Sequence, residues 1–225
     1  MTTTRMVVAL TALLAGRALW AQAPYSQMAP VDEYLIPDRN AEIALARSAT
    51  PESISAQAEV MVLGRNGYEV AVKGTNHFVC LVERSWDGAP QFWNPKIRGP
   101  DCFNAAATRF YLPIVLMKAR LALAGKSRAQ IEEAVEIAFK QKQLAPPEAG
   151  AMSYMMSKGQ YLNDEAGNWH PHVMFFLPLA MAKTWGANLP GSPVLSNDDP
   201  PDRLTIFMIP VARWSDGTPD AKAKP

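Results

Sequence analysis

The 225-residue chain has few of the residues and motifs that most often carry chemistry. It contains two cysteines and three histidines, and its 22 basic residues nearly balance its 21 acidic residues. No basic block or stripe is present that would neutralise several phosphates, so we do not expect nucleic acid as a partner. A Gly-x-Ser-x-Gly elbow, a glycine-rich phosphate loop, a Cys-x-x-Cys-His haem attachment and a His-Glu-x-x-His helix are also absent. The common hydrolase, nucleotide-binding, cytochrome and zinc-protease classes therefore have no support.

Long apolar runs are absent too, since no uninterrupted stretch approaches the about 20 residues of a transmembrane helix. The first 23 residues instead have the three parts of a secretory signal peptide: Arg5, the apolar run 6–15 and the small-residue tripeptide 21–23. We expect segment 1–23 to be removed, which leaves no membrane span and places the mature chain in the periplasm or outside the cell. Removal takes away two arginines and no acidic residue, so the net charge changes from +1 to −1.

The remaining length suits one globular domain, which we expect over residues 24–217, followed by a disordered tail over 218–225. Cys80 and Cys102 are the only cysteines. An even pair in an exported protein usually forms a disulfide, and we predict the bond Cys80–Cys102. The alternative is a nucleophilic thiol, which the apolar run around Cys80 disfavours because a thiolate is poorly solvated there.

The order of periodic segments predicts an α+β fold. We expect an antiparallel sheet of two hairpin or meander units plus a C-terminal strand, with a pair of helices packed on one side. The first hairpin joins segments 59–63 and 68–72 through Asn66-Gly67, a typical type I′ turn, which would set Leu63 opposite Val70. A third strand is predicted over 77–84, with His77 and Glu83 on the same face. The other main predicted elements are helices over 105–124, bent or split at Pro113, and from 128 onward, strands over 151–158, 169–177 and 204–211, and a long loop over 179–203.

The strongest chemical signal is the pair His170 and His172, two residues apart in a predicted strand. Side chains at that spacing project from one face, and imidazole is a preferred ligand of zinc and copper. We predict a metal site at this pair, with His77 as third ligand and Glu83 as general base or carboxylate ligand. The alternative is that these histidines are ordinary sheet residues, which Pro171 between them favours.

Aromatic residues in and beside the predicted loops suggest a second kind of site. We predict that Trp93, Trp169 and Tyr154 line a concave site for a small molecule. The alternative is that the tryptophans anchor long loops to the core. The sequence thus leaves two functions open: a metal-dependent enzyme that acts on a small molecule, or a non-catalytic ligand-binding or structural module stabilised by a disulfide.

Overall fold

The computed structural model describes residues 24–88, 90–179 and 181–221, so the predicted signal peptide 1–23 lies outside the described residues. Eight strands form one sheet in the order β2-β1-β3-β4-β5-β6-β8-β7. Their bounds are β1 Glu59–Gly64, β2 Gly67–Val72, β3 Val79–Glu83, β4 Gly99–Phe103, β5 Met152–Met155, β6 His172–Pro178, β7 Leu195–Asp199 and β8 Leu204–Pro210.

The predicted α+β class is confirmed, but the sheet differs from the prediction in its strand directions and in two strands, β4 and β7, that were not predicted. Strands β1 and β3 are parallel, so the sheet is mixed rather than antiparallel. Strand β7 lies inside the segment predicted as a long loop, and it pairs with β8 at the sheet edge. Its residues Asn197, Asp198 and Asp199 are poor strand formers, which is why the sequence pattern did not reveal it.

The first hairpin forms with a register two residues away from the predicted one. Leu63 pairs with Tyr68 rather than Val70, and Gly64 pairs with Gly67. The turn residues are therefore Arg65 and Asn66, and neither takes the positive φ that a type I′ turn requires. Gly67 has a positive φ of 123°, but it is the first residue of β2 rather than the second residue of the turn.

Four α-helices occur in the described ranges: α1 Arg39–Arg47, α2 Glu52–Ser55, α3 Ala105–Leu123 and α4 Arg128–Lys140. The side chain of Asn104 accepts the N–H of Ala107 and caps α3, and Ser127 begins a capping box at α4. The predicted break at Pro113 does not occur, because α3 continues through it as one helix.

The sheet has two faces, which we name after the helices that cover them. On the α3 face, Leu81, Phe103 and Met174 pack in a cluster with residues of α3 and α4. On the α1 face, Val60 and Val82 pack with α1, which contacts β1, β3 and β4. The predicted helical pair therefore covers one face, and α1 covers part of the face that the prediction left bare.

The predicted disulfide is confirmed. Cys80 and Cys102 are directly paired across β3 and β4, and their sulfur atoms are bonded on the α1 face. A cross-link there ties two neighbouring strands of the sheet together. Among the helices that the structure describes, none has the length and apolar character that a membrane span needs.

Candidate acid–base site

Glu83, the residue predicted to act in proton transfer, lies at the end of β3 on the α3 face. It follows Leu81 by two residues, so the period of the strand directs both side chains to the same side of the sheet. Asp101 is paired with Leu81 across β3 and β4, which puts its carboxyl diagonally next to that of Glu83. The sheet register thus brings two carboxyl groups together under helix α3.

Three further charged residues surround this pair. Lys118 reaches it from α3, Asp87 from the 3-10 turn Ser85–Asp87, and Asp202 from the turn between β7 and β8. The Lys118 Nζ donates to Asp202 Oδ2 at 2.5 Å. All of these side chains are buried, and Asp101 is completely inaccessible to solvent. One ammonium group therefore faces four carboxyl groups within the core.

Burial raises the pKa of each carboxyl group because an ionised carboxylate is poorly solvated in the core. The pKa of Glu83 is raised well above its usual range by burial and then by the nearby charges of Asp101 and Asp87. Burial raises the pKa of Asp101 to about 8 and that of Asp87 to about 7. At neutral pH the cluster thus holds protons that exposed carboxyl groups would have lost.

Lys118 and Asp202 respond to each other as well as to burial. Burial raises the pKa of Asp202 to about 6, while the Lys118 charge opposes that rise. For Lys118 the largest effect is burial, which lowers its pKa, but the charges of Asp202 and Asp199 outweigh it and leave the pKa raised. Lys118 therefore stays charged at neutral pH.

The polar atoms of the cluster have few hydrogen-bond partners. In the described part of the chain none is found for Glu83 Oε1, Asp87 Oδ1 or Asp202 Oδ1. Both carboxyl oxygens of Asp101 also lack one of normal geometry, although the Ser153 hydroxyl lies close enough to favour its ionised form. Buried carboxyl groups are usually well partnered, so this cluster departs from ordinary core construction.

A cleft of about 150 Å³ opens beside the cluster. Lys118 and Trp86 form part of its wall, and Asp199 of β7 and Arg128 of α4 lie at other points of its lining. Gly88 also lines the cleft, with φ 121°, a conformation that residues with side chains rarely adopt. The ammonium group of the cluster therefore borders a space that a small molecule can enter.

The three histidines are not brought together. His77 lies in the turn before β3, with φ 63°, whereas His172 begins β6, three strands further along the sheet. Three strand spacings amount to about 14 Å, too far for imidazoles to share one ion. His77 as a third ligand is therefore not supported by the sheet order. Within the residues that the structure describes, no group of three or more His, Cys, Asp or Glu side chains is arranged to hold a metal ion.

His170 and His172 are each held through Nδ1. His170 lies before β6, and its Nδ1 is 2.5 Å from Oδ2 of the buried Asp220. The Nδ1 of His172 is 2.7 Å from the His170 carbonyl oxygen, so this nitrogen carries the proton. Burial lowers the pKa of His172 to about 4, which keeps it neutral at neutral pH. Asp220 belongs to the segment predicted as a disordered tail, of which residues 222–225 lie outside the described residues.

The three predicted aromatic ligand contacts lie apart from one another. Trp93 is buried in a cluster with Tyr34, and its neighbour Phe92 lines the cleft. Trp169 packs against the rings of both His170 and His172. Tyr154 is on the α1 face near the disulfide. Ligand binding by Trp93, Trp169 and Tyr154 stays a prediction.

Sequence reasoning found Glu83 but missed Asp87, Asp101, Lys118 and Asp202. One signal for them was present, because Lys118 falls on the apolar side of a helix and Asp101 sits beside Cys102 in a strand. A charged residue at a position that the pattern assigns to the core is costly and calls for an explanation. The turn that carries Asp202 gave no comparable signal, since acidic residues are common in turns.

Comparisons with known proteins give this chain no relatives. No family model matches it, and neither the curated proteins nor the solved structures contain a significant match. Its chemistry therefore has to be inferred from the site alone.

Proposed function

We propose that the protein binds a small polar molecule in the Lys118 cleft and transfers protons to or from it through the neighbouring carboxyl groups. One observation carries the proposal: a buried lysine belongs to a cluster with four buried carboxyl groups and borders an open cleft. Groups with strongly shifted pKa values cluster at functional sites more often than elsewhere. The reaction class is general acid–base catalysis, which works best when the pKa of the group lies near the working pH.

The residues have different roles in this proposal. Glu83, whose pKa is raised well above its usual range, holds a proton at neutral pH and serves as the acid. Asp87, with a pKa of about 7, exchanges its proton near neutrality and serves to reload Glu83. Lys118 keeps its charge and stabilises negative charge that develops on the bound molecule. In this proposal the two carboxyl groups transfer protons and the ammonium group stabilises negative charge.

The proposal includes export to the periplasm or the cell exterior. The disulfide Cys80–Cys102 supports this, because such bonds persist mainly in oxidising compartments. The predicted signal peptide 1–23 is the second support. Analysis of the N-terminus of the secreted protein tests it, and a mature chain that still begins at Met1 would contradict it.

The metal site at His170 and His172 stays a separate hypothesis, and the acid–base proposal does not depend on it. Both imidazoles have Nδ1 held by an oxygen acceptor, an arrangement also typical of histidines that bind metal through the other nitrogen. Quantifying zinc and copper in the purified protein and in His170→Ala and His172→Ala tests it. Metal content that neither substitution lowers would remove this hypothesis.

Turnover separates the acid–base proposal from the alternative of a non-catalytic module. Small chromogenic esters, amides, glycosides and phosphoesters are incubated with the protein between pH 5 and pH 8. We expect turnover of one class, with a bell-shaped pH profile that Glu83→Gln abolishes. The matched control is Asp216→Asn, an exposed acidic residue that pairs with Lys158 away from the cleft. Equal rates for the wild type and Glu83→Gln on every substrate would contradict the proposal.

A further inference from the structure

The charges that line the cleft are unequally compensated. The cation Arg128 pairs with Glu132 at 2.7 Å, and Lys118 pairs with Asp202. No ion pair with a lysine, arginine or histidine is found for Asp199 anywhere in the described ranges. Asp199 is therefore a carboxylate in the cleft wall that makes no ion pair of its own, although its charge also acts on Lys118.

The surroundings of Asp199 leave room at its second oxygen. Its Oδ1 accepts the backbone N–H of Asp202 at 3.3 Å. Its Oδ2 faces Gly88, where an added Cβ would lie 3.6 Å away. Gly88 and Asp199 both line the cleft, and no hydrogen bond to this oxygen is found in the described part of the chain. A cationic group that enters the cleft would find an acceptor there.

A second, independent observation concerns Trp86 in the same wall. Its side chain is completely buried, and no hydrogen-bond acceptor for its indole N–H is found in the described part of the chain. A buried indole N–H usually has an acceptor, so this donor is available to a bound molecule. The cleft thus combines a carboxylate that makes no ion pair with an indole N–H that has no acceptor.

We propose, as an extension of the proposed function, that the ligand is a small amino alcohol or a similar molecule with one cationic nitrogen and one hydrogen-bond acceptor. The cationic nitrogen binds Asp199, and the acceptor oxygen binds the indole N–H of Trp86. An anion at this position would be repelled by Asp199, and a neutral diol would leave Asp199 without an ion pair. The cleft volume of about 150 Å³ restricts the ligand to a small molecule.

Three matched probes test this inference: ethanolamine, ethylene glycol and glycolate. They share a two-carbon skeleton and a hydroxyl group and differ in charge. Binding is followed by the ¹⁵N NMR signals of the tryptophan indoles, with Trp86 assigned through Trp86→Phe. We expect ethanolamine to shift the Trp86 signal and to bind at least about fivefold more tightly than either other probe. We expect Asp199→Asn to abolish that preference and Asp216→Asn to leave it unchanged.

The outcomes separate this inference from the function on which it rests. Tighter binding of ethylene glycol or glycolate would overturn the cationic ligand class, while the turnover assay above would still test proton transfer. Binding of ethanolamine that Asp199→Asn leaves intact would also overturn it. Ethanolamine binding without turnover of any substrate would instead overturn the proposed function and support the inference. If Trp86→Phe does not fold, the comparison of wild type with Asp199→Asn decides alone.

Discussion

The two buried ion pairs found among the described residues lie on opposite faces of the sheet and are built differently. On the α1 face, the Arg84 guanidinium donates to Glu42 at 2.8 Å and also to the carbonyl oxygens of Tyr34 and Val82. The same Glu42 oxygen accepts the backbone N–H of Leu63 at 3.1 Å. Each guanidinium nitrogen of Arg84 has an acceptor, so its charge is compensated within the fold.

On the α3 face, the pair Lys118–Asp202 has no such support. Asp202 Oδ1 has no partner in the described residues, and the charges of Asp87, Asp199 and Glu83 lie close enough to interact with the same lysine. A buried pair with all its hydrogen bonds made serves to hold elements together, as Arg84 holds α1 to the sheet. A buried ion pair whose carboxyl oxygens lack hydrogen-bond donors lowers the stability of the fold. Because this pair lies beside a cleft, we attribute that loss of stability to function.

The largest effect expected from this contrast is on stability when each cation is removed. Arg84→Met leaves Glu42 and two carbonyl oxygens buried without their donor, so we expect the free energy of unfolding to fall by about 3–5 kcal/mol at both pH 5 and pH 8. Urea unfolding at the two pH values measures this loss.

Lys118→Met should behave differently, because its carboxyl partners can take up protons instead. We expect a small loss of stability at pH 5, where the pKa of Asp202, about 6, leaves that group mostly protonated. At pH 8 we expect a clearly larger loss. Equal losses at both pH values for Lys118→Met would remove the distinction between the two pairs.

The next effect is the pH dependence of the wild-type protein. Asp87 and Asp101 have folded-state pKa values of about 7 and about 8, above the ordinary value of about 4 for an unfolded aspartate. Between these limits the folded state binds more protons than the unfolded state, so stability falls as the pH rises. We expect the free energy of unfolding to be clearly lower at pH 8 than at pH 4.

Asp101→Asn is the variant that isolates this effect, because the amide cannot ionise. Its stability should exceed that of the wild type at pH 8 and match it at pH 4. Thermal melting across this pH range gives the comparison. A wild-type melting temperature that rises steadily from pH 4 to pH 8 would contradict this prediction, because raised carboxyl pKa values require stability to fall over that range.

Removing the disulfide tests whether the two faces are independent. The bond closes a segment of sequence separation 22 on the α1 face, and its loss in the double variant Cys80→Ala/Cys102→Ala should cost about 3 kcal/mol. Because the sulfur atoms lie on the face opposite Glu83, we expect the slope of stability against pH to stay the same. A changed slope would mean that the α1 face also controls the carboxyl cluster.

The smallest effect is expected at an exposed ion pair. Lys158 and Asp216 are 2.8 Å apart with both side chains about half exposed. Solvent screens such a pair and ordering its side chains costs entropy, so Asp216→Asn should leave the urea midpoint unchanged. A clear loss of stability would show that ion-pair burial is not what distinguishes the pairs compared above.

The contrast between the faces also shows how far sequence reasoning reaches. The α+β class, the hairpin beginning at Glu59, the helix boundaries at Asn104 and Ser127 and the disulfide follow from local patterns, because caps and alternation act over a few residues. The hairpin register was wrong because the φ values of Arg65 and Asn66 decide the turn, and the sequence permits more than one solution.

The candidate site depends on contacts that no local pattern encodes. Glu83 stood out only as a carboxylate near a histidine, and the reason given for it was a metal site that the sheet order does not support with His77. Its actual neighbours come from β4, from α3 and from the β7–β8 turn, far apart in sequence. Strand β7 could not be predicted because its polar and acidic residues are poor strand formers, and the position of Asp199 at its end could therefore not be predicted either.

The most direct test of the central claim is a ¹³C NMR titration of the Asp and Glu carboxyl carbons in the mature protein between pH 2 and pH 10. We expect one carboxyl group to titrate at about pH 7 and to be lost in Asp87→Asn, and one at about pH 8 to be lost in Asp101→Asn. A third signal, lost in Glu83→Gln, should titrate well above the usual range of a glutamate. A protein in which every carboxyl group titrates below about pH 5 would contradict it, because the cluster would then hold no protons at neutral pH.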